Sequence, residues 1–395
     1  MKGYTAELSN GEAVHYVDRK RYLWTLSVLF PLLPFLGIWL HAATGNEAWL
    51  LSPLVLAYVI IPLLDWIIGE DTNNPPEEVI LQLDRDRYYR VLTYIVVPLH
   101  FISLIGAAWW ASTQSLSWWA FIGLAVVAGL ISGLGINTGH ELGHKKSTLE
   151  RTLAKIVLAV PMYGHFQIDH NRGHHRDVST PEDPASSRMG ESIYKFARRE
   201  IPGAFKRAWA IETDRLERRG KHPFDANNQI LQSMILSMIL QLSLLIAFGL
   251  EIIPFLLIHN ALAWWQLTSA NYVEHYGLLR LKDENGRYER CQPHHSWNSN
   301  HLFSNLVLFH LERHSDHHAH PLRRYQSLRH FNNLPTLPSG YFGSYLLAWV
   351  PWIWYRVMDL KLLALSHVDG DMNKVNVDPD KRAALFQRHH KPSAQ

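Results

Sequence analysis

The sequence predicts an all-α integral membrane protein with six transmembrane helices and a histidine-rich cytoplasmic cap. Three observations lead to this prediction. Six apolar runs are each about 20 residues long, which is enough to cross roughly 30 Å of hydrocarbon at about 1.5 Å per residue. Basic residues concentrate in alternate connecting segments. The chain also contains 24 histidines, many of them at helical spacing in three clusters.

The apolar runs form two blocks, with four runs before residue 137 and two after residue 228. Prolines within them, such as Pro34 and Pro98, are tolerated in membrane helices. A buried helix of a soluble protein would explain any single run, but six runs in one chain favour a membrane protein. The runs occupy residues 22–41, 49–68, 91–110, 118–136, 229–248 and 252–271.

The connecting segments predict the orientation. The short links at 44–47, at 111–115 and near 249 contain no Lys or Arg, whereas the long segments between them hold nearly all the basic residues. Basic segments stay in the cytoplasm under the positive-inside rule. Both termini and every histidine cluster are therefore predicted to be cytoplasmic.

These patterns divide the chain into six segments. Within them, the stretch 154–166 is too short to span, and the Trp-rich stretch 345–358 predicts a helix lying on the membrane surface. The segments are a cytoplasmic lead (1–21), transmembrane helices one to four (22–136), a cytoplasmic segment with the first two histidine clusters (137–228), helices five and six (229–272), a cytoplasmic cap with the third cluster and the surface helix (273–368), and a polar tail (369–395).

Composition excludes several classes of protein. The net charge is only +3, which gives no reason to expect nucleic-acid binding. Cys291 is the single cysteine, so the chain has neither a disulfide framework nor an iron–sulfur or rubredoxin module of its own.

The histidine clusters predict a metal centre. Residues four apart share one face of a helix, which applies to His140 with His144, to His170 with His174, and to His314 with His318. His175 and His317 adjoin these pairs, so each cluster is predicted to point as a group at one place. Eight imidazoles are too many for one ion, which predicts two.

Ligand type and position favour iron. Sites made mostly of imidazole suit iron or zinc. The clusters lie at the ends of apolar helices, where a hydrocarbon can arrive from the bilayer and electrons from the cytosol. Such a place suits iron and oxygen chemistry.

Two other readings stay open. His140-Glu141-Leu-Gly-His144 matches the H-E-x-x-H signature of zinc proteases, which predicts an intramembrane protease. A single zinc site would leave at least six clustered histidines unexplained. A metal transporter or sensor is the other alternative, but the clusters stand at helix ends rather than along a pore.

Five longer motifs resemble a known family. Together they are similar to the histidine-box membrane enzymes with non-haem di-iron sites, which are related to the membrane fatty acid desaturases, and more narrowly to the alkane 1-monooxygenases. The resemblance covers roughly residues 20–360, and Asp169 is a conservative departure where the family often has Glu. The motifs are Gly69-Glu-Asp-x-Asn-Asn-Pro-Pro-Glu, Asn137-Thr-Gly-His-Glu-Leu-Gly-His-Lys, His170-Asn-Arg-Gly-His-His, Asn271-Tyr-Val-Glu-His-Tyr-Gly-Leu and Leu311-Glu-Arg-His-Ser-Asp-His-His-Ala-His-Pro-Leu-Arg-Arg-Tyr-Gln.

This resemblance implies an activity. It implies terminal hydroxylation of medium-chain n-alkanes to 1-alkanols, with O₂ as co-substrate and electrons from rubredoxin, which is reduced by NAD(P)H through its reductase. It also implies a multi-pass protein of the bacterial inner membrane. A desaturase, or a xylene or sterol hydroxylase with the same motifs, stays open as an alternative.

The resemblance further implies the metal ligands. The flanking carboxylates of Glu141, Asp169, Glu274 and Asp316 are expected to orient metal-bound imidazoles through the second ring nitrogen. Nine histidines are implied to ligate two irons, which are His140, His144, His170, His174, His175, His275, His314, His317 and His318.

Overall fold

The computed structural model describes residues 2–389. Its longer helices are numbered here in chain order. They are α1 (Thr25–Thr44), α2 (Glu47–Ile68), α3 (Glu77–Arg85), α4 (Arg87–Thr113), α5 (Trp118–Gly143), α6 (Thr148–Ala159), α7 (166–177), α8 (Ile193–Glu217), α9 (Gln229–Phe248), α10 (Leu250–His275), α11 (Leu302–Val307), α12 (His314–Ala319), α13 (Tyr341–Ala348), α14 (Pro351–Leu363) and α15 (Arg382–His389).

Six of these helices are long and apolar enough to cross a membrane, which confirms the predicted all-α architecture with six transmembrane helices. They are α1, α2, α4, α5, α9 and α10. Their outer faces carry large apolar side chains such as Trp39, Trp66 and Ile246, which are 64%, 79% and 86% exposed. Surfaces of this kind are stable in contact with lipid tails and not with water.

Within residues 2–389, the one β-sheet is a short hairpin near the N-terminus. Strand β1 (Gly3–Glu7) pairs antiparallel with β2 (Ala13–Val17). The Asp86 carboxylate anchors it, because it accepts hydrogen bonds from the Tyr4 hydroxyl at 2.7 Å and from Arg21 at 2.8 Å. The N-terminal lead is thereby packed against the start of α4.

Helix α5 forms the centre of the bundle and is buried over most of its length. It packs against α10, where Gly129 permits the close approach: a Cβ there would lie only 2.7 Å from the carbonyl oxygen of His259. The His259 ring lies 2.7 Å from the Ser132 hydroxyl, which joins the two helices by a hydrogen bond within the bundle. Because α5 and α10 are held together, their C-terminal ends meet at one place.

Both of these helices extend beyond the predicted spans. Helix α5 runs to Gly143 and α10 to His275, so they carry His140 and His275 within their final turns. The helices outside the six spans, together with their connecting loops, cover these ends. We call this part of the protein the cap. The histidine clusters lie between the bundle and the cap.

The C-terminal part of the chain packs more closely than its composition suggests. The stretch predicted as one surface helix forms two, α13 and α14, and buries Tyr345 and Trp354 while Trp352 is 60% exposed. Within the predicted polar tail, Met372, Val375 and Val377 join the same buried cluster as Trp354. Residues 390–395 of that tail, like Met1 of the lead, lie outside the described residues.

Candidate metal centre

The nine histidines of the resemblance come together in two groups. Each group offers ring nitrogens that lie within 4.8 Å of one another. The five-histidine group contains His140, His144, His170, His175 and His317, and the four-histidine group contains His174, His275, His314 and His318.

The two groups divide the sequence clusters in an unexpected way. Residues 170–174 form a π-helical turn, in which residues five apart share a face. His170 therefore aligns with His175, with their Nε2 atoms 3.1 Å apart, while His174 joins the other group. The α-helical spacing that predicted His170 and His174 at one place is wrong for this turn.

The three histidines of helix α12 are also distributed between the two groups. His314 and His318 are four residues apart, and their Nε2 atoms are separated by 2.9 Å. His317 points about 100° away from His318 around the helix axis, because one residue is 1/3.6 of a turn. It reaches the five-histidine group instead, where its Nε2 lies 2.9 Å from that of His140.

The distances between nitrogens fit coordination better than hydrogen bonding. Ligands at about 2.0–2.1 Å from one ion, the usual range for zinc, stand roughly 2.9–3.4 Å from one another. The Nε2 of His175 lies 3.1 Å from the Nε2 of both His170 and His317, and His275 Nε2 lies 3.3 Å from His314 Nε2. An imidazole Nε2 offers either one N–H or one lone pair, so the Nε2 of His175 cannot form well-directed hydrogen bonds to both His170 and His317. Both groups can hold a metal ion.

Protonation supports the same conclusion. Burial, together with neighbouring imidazoles, lowers the pKa of His170, His314, His317 and His318 well below the usual range. The rings are therefore neutral at physiological pH, and a neutral imidazole is the form that binds metal.

One outer carboxylate was missed in the sequence. Asp183, which is buried, lies 2.9 Å from Nδ1 of His174 and leaves the Nε2 of that ring facing its group. Arg207 joins Asp183 at 2.7 Å and Asp169 at 2.6 Å. Burial raises the pKa of Asp183, but His174 and Arg207 outweigh it and hold the pKa well below its usual range. An ionised Asp183 thus fixes the orientation and tautomer of His174.

Three of the four flanking carboxylates pair with cations and not with the clustered imidazoles, so the predicted orienting role is wrong for them. Glu141 pairs with Lys145 at 3.0 Å, Asp169 with Arg207, and Asp316 with Arg323 at 2.9 Å. Only Glu274 among these four reaches a ring of the two groups. Its Oε2 lies 3.4 Å from Nε2 of His314, and its Oε1 accepts a hydrogen bond from the Tyr341 hydroxyl at 2.8 Å.

The arrangement around Glu141 does not fit a zinc protease. A catalytic Glu of an H-E-x-x-H site must stand beside the metal. Glu141 instead pairs with Lys145, and His140 and His144 share their group with three further histidines.

The two sides of the histidine cluster differ in character. On the bundle side, a narrow apolar cavity of about 40 Å³ reaches His140, His170 and His314. Its walls include Leu134, Ile136, Phe166, Leu308 and Phe342, with Asn271 and Glu274 as polar neighbours.

On the cap side, a pocket of about 570 Å³ reaches His144. Among residues 2–389, no Asp or Glu lines it. Its cationic side chains are Lys145, Lys146, Arg151, Lys155 and Arg172. We call it the basic pocket.

Comparison with known proteins decides the family. The chain is 57% identical to an alkane 1-monooxygenase of Ectopseudomonas oleovorans, over 97% of this chain and 95% of that protein. It is 56% identical to alkane 1-monooxygenase 1 of Alcanivorax borkumensis, over 96% and 94%. The chain belongs to the alkane 1-monooxygenase family.

Further matches agree with this assignment, which confirms the resemblance seen in the motifs. A Pseudomonas putida alkane 1-monooxygenase is 55% identical over 98% of the chain and 96% of its own length. Residues 116–345 match the fatty acid desaturase family. All nine histidines lie within this range. The XylM hydroxylase component of a xylene/toluene monooxygenase of P. putida is only 29% identical over 59% of the chain. Membership of the alkane 1-monooxygenase family makes this chain an oxidoreductase.

Proposed function

We propose that this protein hydroxylates the terminal carbon of medium-chain n-alkanes to give 1-alkanols, using O₂ and a pair of irons. The observation that carries the proposal is the position of the two histidine groups. They lie between an apolar cavity at the membrane side and a solvent-facing basic pocket. Family membership supports the alkane as substrate, while the medium chain length rests on the motif resemblance alone.

The residues present fit a pair of irons. His140, His144, His170, His175 and His317 would hold one, and His174, His275, His314 and His318 the other. Such a pair would supply the redox chemistry that turns RH and O₂, with two electrons and two protons, into ROH and water. Ligands made almost wholly of imidazole are compatible with iron.

The small volume of the apolar cavity supports terminal selectivity. About 10–15 Å³ is needed to hold one water molecule, so a cavity of about 40 Å³ has room for only a short piece of a hydrocarbon chain, which we propose is its end. Apolar walls exclude water from the reacting end. Glu274, oriented by Tyr341, places the one carboxylate where the cavity meets the four-histidine group.

The electron donor in this proposal is a separate rubredoxin, supplied by its reductase and NAD(P)H. The single cysteine provides no carrier within the chain. An acidic carrier is attracted by the basic pocket, which reaches the ligand His144. Of the nine histidines, His144 and His175 are half-buried and the others are buried. From the positive-inside rule we expect this face to lie in the cytoplasm. The motif resemblance supports the bacterial inner membrane as the location of the helices.

Product analysis tests the proposal. Membranes containing the protein receive n-octane, ¹⁸O₂, NADH, rubredoxin and its reductase, and the solvent extract is analysed by mass spectrometry. We expect ¹⁸O-labelled 1-octanol from the wild type and none from His314→Ala. An alkene product would favour a desaturase, and membranes that carry two irons per chain but oxidise no n-alkane would overturn the proposed substrate.

A further inference from the structure

A second apolar cavity lies between α8, α9 and α10, apart from the two histidine groups. Its volume is about 630 Å³. One face of each helix lines it, with Phe205 from α8, Met234 from α9, and Ala261 and Trp264 from α10. Met234 is 46% exposed, so the cavity opens on the surface that faces lipid. We call it the lateral cavity.

The volumes of the two apolar cavities raise a question about the proposed substrate. The cavity beside the histidines measures about 40 Å³, whereas the lateral cavity measures about 630 Å³. Ligand pockets that bury a small molecule usually measure about 300–1,000 Å³. The larger cavity therefore has room for most of a hydrocarbon chain, and the smaller one has room only for its end.

Aromatic rings separate the two cavities. Tyr163 lines the lateral cavity, and its ring centroid stands 5.8 Å from that of Trp264 and 6.3 Å from that of Phe166. Phe166 lines the small cavity, and its ring stands 4.8 Å from His170. The indole N–H of Trp264 donates to the carbonyl of Pro161 at 2.7 Å, which holds the wall in place. The cavities thus share one wall.

Two polar atoms in the wall of the lateral cavity favour a hydrocarbon that becomes an alcohol over a lipid acyl chain as the occupant. The Tyr163 hydroxyl and Nε2 of His165 are buried without a hydrogen-bond partner in the described part of the chain, and both residues line the lateral cavity. Such atoms are costly unless a ligand or water satisfies them. A lipid acyl chain offers no hydrogen bond along its length. A hydrocarbon that enters bare and leaves with a terminal hydroxyl offers one on the way out.

We propose that the lateral cavity is a vestibule for straight-chain hydrocarbons. A chain enters it from the bilayer and passes its end across the wall of Tyr163 and Phe166 to the histidine side, and the alcohol returns by the same route. This inference rests on the proposed alkane hydroxylation for the identity of the chain. The binding step itself needs neither metal nor turnover.

Photolabelling tests the binding step. Purified full-length protein in lipid nanodiscs is irradiated with an n-alkane analogue that carries a mid-chain diazirine, and labelled peptides are mapped by mass spectrometry. We expect label on the peptides containing Met234 and Trp264, and excess n-octane should remove it. Label that n-octane leaves unchanged would mean that the cavity holds lipid chains, and would overturn the proposal.

A filling substitution tests the route. Ala261 is exposed in the lateral cavity, so Ala261→Trp fills it without disturbing the core. Ala48→Trp fills a comparable apolar groove of about 510 Å³ between α1 and α2 and serves as the matched control. We expect Ala261→Trp to lower kcat/KM for n-octane about tenfold and the control to stay within about twofold, as for other losses of hydrophobic pocket space.

The outcomes separate this inference from the proposed function. Equal effects of the two substitutions, or none from Ala261→Trp, would overturn the vestibule while the hydroxylation stands. A wild type that makes no 1-octanol, but whose label is removed by n-octane, would overturn the hydroxylation and leave the vestibule. Iron content and thermal unfolding of both variants show whether each is folded.

Discussion

The two sides of the histidine cluster have opposite properties. The bundle side is a narrow apolar cavity that reaches His140, His170 and His314. The cap side is a wide pocket with five cationic side chains that reaches His144. Both sides contact the same five-histidine group, yet one suits a hydrocarbon and the other suits a charged, hydrated partner.

Under the proposed function, this difference lets one site serve two incompatible reactants. A hydrocarbon chain is stable in the bilayer and an acidic protein is stable in the cytosol. Placing the cluster at the ends of α5 and α10 lets each approach from its own phase. Substitutions on the two sides should therefore change different kinetic parameters, while substitutions of the cluster itself should change all of them.

The largest effect is expected from loss of a histidine in the five-histidine group, which both sides contact. His170→Ala removes one nitrogen of the five-histidine group and should reduce hydroxylation by more than the ~10–100-fold that loss of an outer hydrogen-bond partner costs. His259→Asn, a buried histidine of the bundle outside both groups, is the control. Activity and iron content are measured together. A wild-type rate of hydroxylation by His170→Ala would show that His170 is not a metal ligand.

The next largest effect should be confined to the bundle side. Ala270 is buried and lines the apolar cavity, so Ala270→Leu fills much of its volume of about 40 Å³. We expect kcat/KM for n-octane to fall by roughly 10–200-fold, the range for a crowded hydrophobic pocket. The KM for rubredoxin should be unchanged. A parallel loss for both substrates would show that the two sides are not independent.

A smaller effect is expected at the outer hydrogen bond of the cluster. Asp183→Asn removes the carboxylate that orients His174, and iron affinity should fall by about 10–100-fold. Iron release to a chelator measures the change, and Asp214→Asn on the exposed surface is the control. Unchanged release from Asp183→Asn would assign the carboxylate to the ion pair with Arg207 alone.

The smallest effect is expected on the cap side. Arg172→Glu reverses one charge of the basic pocket and should raise the KM for rubredoxin about tenfold at low salt, with less effect at high ionic strength. The KM for n-octane should not change. Arg218→Glu, on the exposed end of α8, is the matched control. An equal change in the KM for rubredoxin in the two variants would show that rubredoxin does not dock on the basic pocket.

The sequence predicts the bundle well because hydrophobic length is a local property. All six spans appear in the structure, with α9 at its predicted bounds. The ends of α5 and α10 extend further because a helix continues past the hydrocarbon where protein covers it. The packing of Met372 and Val375 was not predictable from composition, since it depends on Trp354 and the cap.

The convergence of the nine histidines was predicted from the sequence, and their division into two groups was not. The motif resemblance brings together the same nine histidines that the structure places in two groups. The π turn at 170–174 has no sequence signature, so α-helical spacing assigned His174 to the wrong neighbours. Glu141 and Asp316 adjoin ligands in the chain but point to other faces of their helices. Asp183 lies in a loop and meets His174 only through the fold.

We propose that the nine histidines hold two separate metal ions, one in each group. Metal analysis of purified protein, with Mössbauer spectroscopy of ⁵⁷Fe-grown samples, tests it most directly in two double variants. His140→Ala with His144→Ala disrupts the five-histidine group, and His275→Ala with His318→Ala disrupts the four-histidine group. We predict two irons per chain in the wild type and one in each double variant. A single metal in the wild type, or loss of all metal from either variant, would contradict it.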